Sequence, residues 1–463
     1  MKYQFKTKIT QLISDLYTPV EIYMKLRDRY PNSFLLESSE YKSKENSFSY
    51  LCFEPIAEFK VDDREIQISY PNSKTDIRET GKVEVAEELS LFLNQFESDD
   101  LGMPFTTNGL FGYTSYDAIP LFQPIQFQKT AVEIPLIQYH LFRNLIVFNH
   151  FNNELYIVEN LLEGEEAQTE IIKTLLQNRS IPQYQFQRTG EENSNVDDEA
   201  FMKNVENGIA HCQRGDVFQV VLSRKFRQAF KGDEFNVYRA LRSVNPSPYL
   251  FYFDYGDFKV FGSSPEAQLV IREEKAEIHP IAGTYRRTGD LEQDQQLAEA
   301  LLQDEKENAE HVMLVDLARN DLSISGTHVQ VEKFKEVEYY SHVIHLVSKV
   351  SSKLRKQENP LKILGETYPA GTLSGAPKHR AMQIIDGLEN ENRNLYGGAI
   401  GFMDFKGNIN HAIFIRSFLS KGNVLTSQAG AGVVINSQPE SELNEVNNKL
   451  AALKKAIEIA ERI

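Results

Sequence analysis

The chain reads as an α+β protein, with antiparallel strands and long helices around shared cores. Three observations predict this class. Short β-rich runs are joined by tight turns, which only antiparallel strands allow. Stretches with apolar residues at helical spacing lie between them. No short-period repeat or low-complexity tract points to a solenoid or a fibre. At 463 residues, 41% hydrophobic and 25% charged, the length suits roughly two to four domains or one elaborate one.

In chain order, "NGLFGYTSYDAIP" and "FRNLIVFNHFNNELYIVEN" are the first clear β-rich runs, with Asn152-Asn153 breaking the second as a hairpin loop would. A helix follows in "EEAQTEIIKTLLQN". The polar stretch "NRSIPQYQFQRTGEENSNVDDEA" has no apolar period and reads as a linker, which sets a boundary near residue 190. The regions are therefore 1–190 and 195–460. The second opens with a helix capped by Asp197 or Asp198, apolar along Phe201, Val205, Ile209 and Cys212, and ended by Gly215. "VFQVVLSRKF" is a strand with Phe218, Val220 and Leu222 on one face and Gln219, Val221 and Ser223 on the other. Further hairpins turn at Gly256-Asp257, near Glu274, at Lys406-Gly407 and at Lys421-Gly422.

The net charge of −16 argues against nucleic acid or an anionic membrane as the main partner. Two cysteines, Cys52 and Cys212, make no metal-ligand spacing and suit a reduced, cytoplasmic chain. The start, "MKYQFKTKIT", lacks the apolar centre of a signal peptide, and no apolar run is long enough to span a bilayer.

Two segments repeat one pattern. "KENAEHVMLVDLARND" holds Glu307 and Glu310 three apart beside His311; "SELNEVNNK" holds Glu442 and Glu445 three apart before Lys449. Residues three and four apart share a helix face, so Glu307, Glu310 and His311 cluster, as do Glu442, Glu445 and Lys449. Facing one another, the two would suit Mg²⁺, which takes one or two carboxylates and completes its shell with water and substrate oxygens. Solvated helix faces of an acidic protein carry the same pairs.

"YPAGTLSGAPKHRAMQIIDGLE" sets Gly371, Thr372 and Gly375 ahead of a helix with Pro377 in its first turn, where backbone N–H groups can hold an anion. The same glycines also suit a tight turn. Gly430 and Gly432 in "SQAGAGVV" would let a ligand approach the backbone, or mark a crowded sheet crossing. Arg416, in the strand "AIFIRSF", needs an anionic partner, either a carboxylate of the chain or a ligand. His345 in an apolar segment reads as a core residue or an acid–base group. Glu266, after a proline in "GSSPEAQLV", is exposed or else an acid facing a site with a raised pKa.

"GDVFQVVLSR", "GSSPE", "PIAGT", "KENAEHVMLVDLARNDL", "GTLSGAPK", "YGGAIGF" and "AGAGVV" before "SELNEVNNK" stand in the order found in the chorismate-utilising enzymes. Through residues 195–460, and more loosely before them, the chain resembles the anthranilate synthase component I family. The resemblance implies large antiparallel sheets packed as a sandwich with helices outside. It implies Mg²⁺ on Glu310 and Glu445, with Glu307 and Glu442 as supporting acids. Chorismate would be gripped by Tyr396, Arg416, Gly430 and Lys449, with Gly432 beside Gly430, and by Thr372 and Gly371 near its ring carboxylate. Glu266 would protonate the departing ring hydroxyl, and His345 would serve the later elimination.

Gln219 stands where isochorismate and salicylate synthases carry a water-activating lysine, and Ala282 where aminodeoxychorismate synthases carry a nucleophilic one. Both favour ammonia as nucleophile and anthranilate as product. The alternatives are an aminodeoxychorismate synthase working without the lysine, and a non-catalytic tryptophan-binding regulator on the same fold. Ammonia would come from a separate glutamine amidotransferase subunit, since no Cys–His–Glu amidotransferase segment is read in the chain. "LLESSE" and "NPSPYLF" resemble segments that enclose feedback-inhibiting L-tryptophan, with Ser38, Pro248, Tyr249 and Leu250 lining the site. The absence of tryptophan from the chain would let it be made when tryptophan is scarce. Departures from the family pattern are Tyr285 and Arg286, in place of Arg and Pro, and Val446, in place of Thr.

Overall fold

The computed structural model describes residues 2–38, 47–129, 132–340, 343–355 and 359–463. Its β structure is organised by the strand Ile137–Asn149, which pairs along its length with Phe48–Val61. From Phe48–Val61 an antiparallel ladder continues through Phe34–Glu37, Tyr249–Asp254, Phe258–Ser264, Ser417–Lys421, Val424–Val433 and Gln219–Gly232. From the other edge of Ile137–Asn149 a second ladder runs through Leu110–Thr114, Ala399–Met403, Ile409–Ile413, Ala267–Arg272, Lys275–Ile278 and Val343–Leu354.

The two ladders face each other. Phe34, Phe251, Phe253 and Val260 of the first share one buried cluster with Phe111, Ile400, Phe402 and Ala412 of the second. The alternate residues Leu35, Leu250, Tyr252 and Phe261 point the other way, into a core covered by helices that include Asp198–Gln213 and Pro439–Ala460. Period-two alternation between two apolar environments explains why "YLFYF" reads as an unbroken apolar run. A third core packs Leu269, Ile271 and Val350 against Val315 and Leu322 of the helix Glu305–Ser325. The result is the expected sandwich with helices outside.

Predicted turns sit where a positive φ is needed. Asn153 (φ 54), Gly256 (φ 86), Glu273 and Glu274 (φ 48 and 65) and Gly407 (φ 85) close hairpins, as does the pair Gly422-Asn423 (φ 56 and 60). Asp197 caps its helix by accepting the Ala200 N–H.

Other expectations are corrected. The strand after that helix begins at Gln219, and Phe218 is 75% exposed, while Val220 and Leu222 are buried. The helix expected from residue 165 spans Thr169–Gln177. The linker-like stretch contributes two short strands, Phe186–Arg188 and Asn193–Ser194, both paired to Gln219–Gly232. Pro377 is the cap, not the first turn, of the helix Lys378–Leu388. The Gly-Thr-Leu-Ser segment is no open loop. It forms its own helical turn, Gly371–Ser374, and Gly375-Ala376 pairs with Gln219-Val220.

Strands from residues 1–190 are laced into the later ones, as the pairs Phe34–Glu37 with Tyr249–Asp254 and Leu110–Thr114 with Ala399–Met403 show.

Candidate active site

The chain passes from one ladder to the other at two adjacent corners, between Ser264 and Ala267 and between Ile413 and Ser417. Strands that switch sheets turn by bends of this kind. The corners bond to each other: Ile413 N–H donates to the Glu266 carbonyl (2.9 Å) and Ser263 N–H to the Arg416 carbonyl (3.1 Å). Each therefore carries one ionisable side chain on a fixed backbone. Arg416 lies in this bend at φ 53 rather than inside a strand as expected.

Glu266 is half-buried, not exposed. Burial pushes its carboxyl up to about 8, against the opposing pull of a hydrogen bond from Thr372 Oγ1 to Oε1 (3.1 Å) and of the Lys449 charge. Near neutrality it holds a proton it can give away. Arg416 is the reverse case, a guanidinium whose pKa burial lowers, with Tyr396 opposing that shift. No carboxylate among the described residues pairs with it.

The paired glutamates converge. Asp304 caps the helix Glu305–Ser325 by accepting the Glu307 N–H (3.0 Å). Burial and the charges of Glu310, Asp304 and, from the other helix, Glu445 raise the Glu307 carboxyl. Glu442, almost wholly buried, is raised by burial, then by Glu445. Gln219 Nε2 donates to Glu310 Oε1 (3.4 Å). Lys449 bonds Glu445 Oε1 (2.6 Å) and the Gly430 carbonyl (2.9 Å).

His311 does not join this cluster. It is fully buried and bonded to Ser348 Oγ (2.6 Å) on the strand Val343–Leu354, so it packs on the sheet although it lies one helical turn from Glu307. Among the described residues no three His, Cys, Asp or Glu side chains stand close enough to enclose an ion. The donor set nevertheless fits a hard divalent cation. All its donors are oxygens, they come from two converging helices, and their mutual repulsion is what a cation would cancel. The Lys449 ammonium already offsets part of it.

The remaining residues surround these groups. His345 Nδ1 donates to the Gly283 carbonyl (3.0 Å), and burial lowers its pKa, so the neutral ring carries its basic nitrogen at Nε2. Ala282 lies on the strand beside it, paired with Leu346. A side chain at Gly430 would meet the Tyr396 hydroxyl and at Gly432 the Gln219 amide, so these glycines leave room for site residues. Gly371 is small for a different reason, since a Cβ there would strike Leu317. Of the departures, Tyr285 OH donates to the capping Asp304 (3.1 Å), and Val446 is wholly buried in the outer core.

Ser38, Pro248, Tyr249 and Leu250 line a separate cavity of about 1160 Å³, which Glu266, Arg416 and the four glutamates do not line. Pro265 and Ala267, either side of Glu266, belong to its wall. Ser39 and Glu40 of the same motif lie outside the described residues.

Sequence reasoning missed Arg393. It is fully buried with Glu389, its guanidinium 4.8 Å from the Tyr116 ring and 5.5 Å from that of Tyr396. In "GLENENRN" it looks like one more loop charge.

Residues 31–455 match the chorismate binding enzyme family. The chain belongs to that family. Anthranilate synthase component 1 of Aquifex aeolicus is 38% identical to it, over 98% of this chain and 94% of the relative. The crystal structure of anthranilate synthase component I from Streptococcus pneumoniae superposes with a TM-score of 0.75 at 31% identity, covering 96% of this chain and 99% of that one. The menaquinone-specific isochorismate synthase of Escherichia coli shares the fold at a TM-score of 0.74 and 20% identity, over 98% and 95% of the two chains. No helix among the described residues of this chorismate binding enzyme is long and apolar enough to cross a membrane, and both cysteines are free and buried.

Proposed function

We propose that this family member is the chorismate-binding component of an anthranilate synthase, a lyase that converts chorismate and ammonia to anthranilate and pyruvate. The observation that carries the reading is the pair of bonded corners, one carrying Glu266 with its pKa raised by burial and the other an Arg416 that pairs with no carboxylate among the described residues. A dianionic substrate with a poor leaving group needs both a donor of protons and a seat for a carboxylate.

Arg416, with Tyr396 and Lys449 near Gly430, would hold the enolpyruvyl carboxylate. Thr372 lies toward the ring carboxylate. Glu310 and Glu445, with Glu307 and Glu442 beside them, would hold Mg²⁺. When bound there it supplies a Lewis acid and an anchor for the ring carboxylate. Ammonia attacks C2 while Glu266 protonates the C4 hydroxyl, which leaves as water. His345 Nε2 then serves as the base for the ring proton lost as pyruvate departs. Gln219 is a neutral amide and activates water poorly, and the Ala282 methyl forms no covalent bond to the ring. Both favour ammonia at C2.

Ammonia would be delivered by a glutamine amidotransferase subunit, and the cavity at Ser38 and Pro248 to Leu250 would take L-tryptophan as feedback inhibitor. The test is product identity. Purified protein with chorismate, Mg²⁺ and ammonium salt at alkaline pH should yield anthranilate fluorescence. Aminodeoxychorismate accumulating instead would overturn the assignment in favour of the folate-pathway synthase. Tryptophan binding without turnover would favour a regulator.

A further inference from the structure

We infer that Arg393 is a positioning residue for the acid step, tying the Thr372 turn, the strand that carries Gln219 and the Tyr396 ring into one unit. The inference rests on the proposed function, since it concerns the same site. Arg393 does not reach the reacting groups itself. It is 3% exposed and lies behind Tyr396.

Its donors are distributed among three segments. Nη1 donates to the Leu373 carbonyl (2.6 Å), the residue after Thr372. Nη2 donates to the Val221 carbonyl (2.7 Å), two residues beyond Gln219, and to Glu389 Oε1 (2.6 Å), while Nε donates to Glu389 Oε2 (2.9 Å). Glu389 Oε1 also accepts from Ser223 N–H (2.9 Å) and Ser223 Oγ (2.7 Å) on the same strand. The guanidinium plane meanwhile packs on Tyr396, whose hydroxyl adjoins Gly430.

A planar fork with five donors makes this set of bonds; an ammonium, as a point charge, does not. The pair also costs desolvation that an apolar pair would avoid. What it provides is a fixed distance between the Thr372 hydroxyl and Glu266 on one side and between Tyr396 and Gly430 on the other. Misplacement by about 1 Å can cost on the order of 10²-fold in rate.

The test uses Arg393→Lys and, because a lone buried charge can unfold the chain, the neutral pair Glu389→Gln/Arg393→Gln. Each is assayed for melting temperature, chorismate KM, kcat and the alkaline limb of kcat against pH. Glu266 is faced by Thr372 and Lys449. Loosening the Thr372 turn removes a bond that favours its ionised form, so the limb should move to higher pH. Thr372→Val should give the same shift, and combining it with Arg393→Lys should add nothing. The expected loss in kcat/KM is about 10²-fold, with KM raised.

A folded variant with the wild-type limb and wild-type KM would overturn the inference, whatever its melting temperature. Wild-type protein assayed alongside separates the two claims. If it shows no turnover, the proposed function falls and this inference with it, whereas an active wild type with indifferent variants sinks the inference alone.

Discussion

The corners and the acidic helices supply the site in opposite ways. At the corners, Glu266 and Arg416 sit on backbone bonded across to its neighbour, one side chain per bend, both half-buried. On the helices, four glutamates share faces, Glu445 is exposed, and the charges repel one another. The contrast separates two tasks. A proton donor and an anion seat need low dielectric and fixed geometry, whereas ligands for a hard cation must stay ionised and adjustable.

The largest effect should come from breaking the helix side. Glu310→Ala or Glu445→Ala is expected to abolish Mg²⁺-dependent turnover, a loss beyond the about 10- to 100-fold of outer-shell metal partners. The melting temperature should be unchanged or raised, because repulsion is relieved. A Mg²⁺ titration of initial rates checks this, and normal activity in either variant would remove the cation from its proposed seat.

On the corner side, Glu266→Gln keeps the shape and removes the proton, and kcat should fall by about 10²- to 10⁴-fold. In the wild type the same group predicts a pH limb. Its folded pKa lies above the ordinary carboxyl value, so the active protonated form dominates below about 8 and is lost as pH rises through it. The stability linked to that proton is fully present below the unfolded value of about 4.5 and is lost through the same limb. Rates at fixed free ammonia would show the limb, and a flat profile from pH 6 to 9 would contradict it.

Arg416→Gln should act mainly on chorismate binding, raising KM by about 10²-fold, as expected for removing one partner of a desolvated charge pair. A change in kcat alone would assign Arg416 to another task. At the small end, Phe218→Ser should move stability by no more than about 0.5 kcal/mol, because the ring is 75% exposed. Urea midpoints are the measurement.

The hairpins and the paired glutamates were legible in the sequence because each depends on near neighbours: a turn residue that tolerates positive φ, or two acids three positions apart. Arg416 was legible as a cation in need of a partner but not as a corner, since a non-glycine residue at positive φ leaves no local signature. His311 was misassigned to the glutamate face because its i,i+4 spacing from Glu307 does not tell which side packs on the sheet, where Ser348 holds it. Arg393 was invisible for a deeper reason. Its acceptors include the carbonyls of Val221 and Leu373, which any residue type would offer. Period-two patterns marked the strands, but not which ladder each joins.

The interleaving of early and late strands also governs how the molecule comes to be made. Phe34–Glu37 must wait for Tyr249–Asp254, and Leu110–Thr114 for Ala399–Met403, so a nascent polypeptide carries bare hydrogen-bonding edges until nearly all of it has left the ribosome. Such non-local pairing slows folding and invites aggregation in the interval. Synthesis of this enzyme should therefore depend on chaperones, and lower expression temperature should raise its soluble yield.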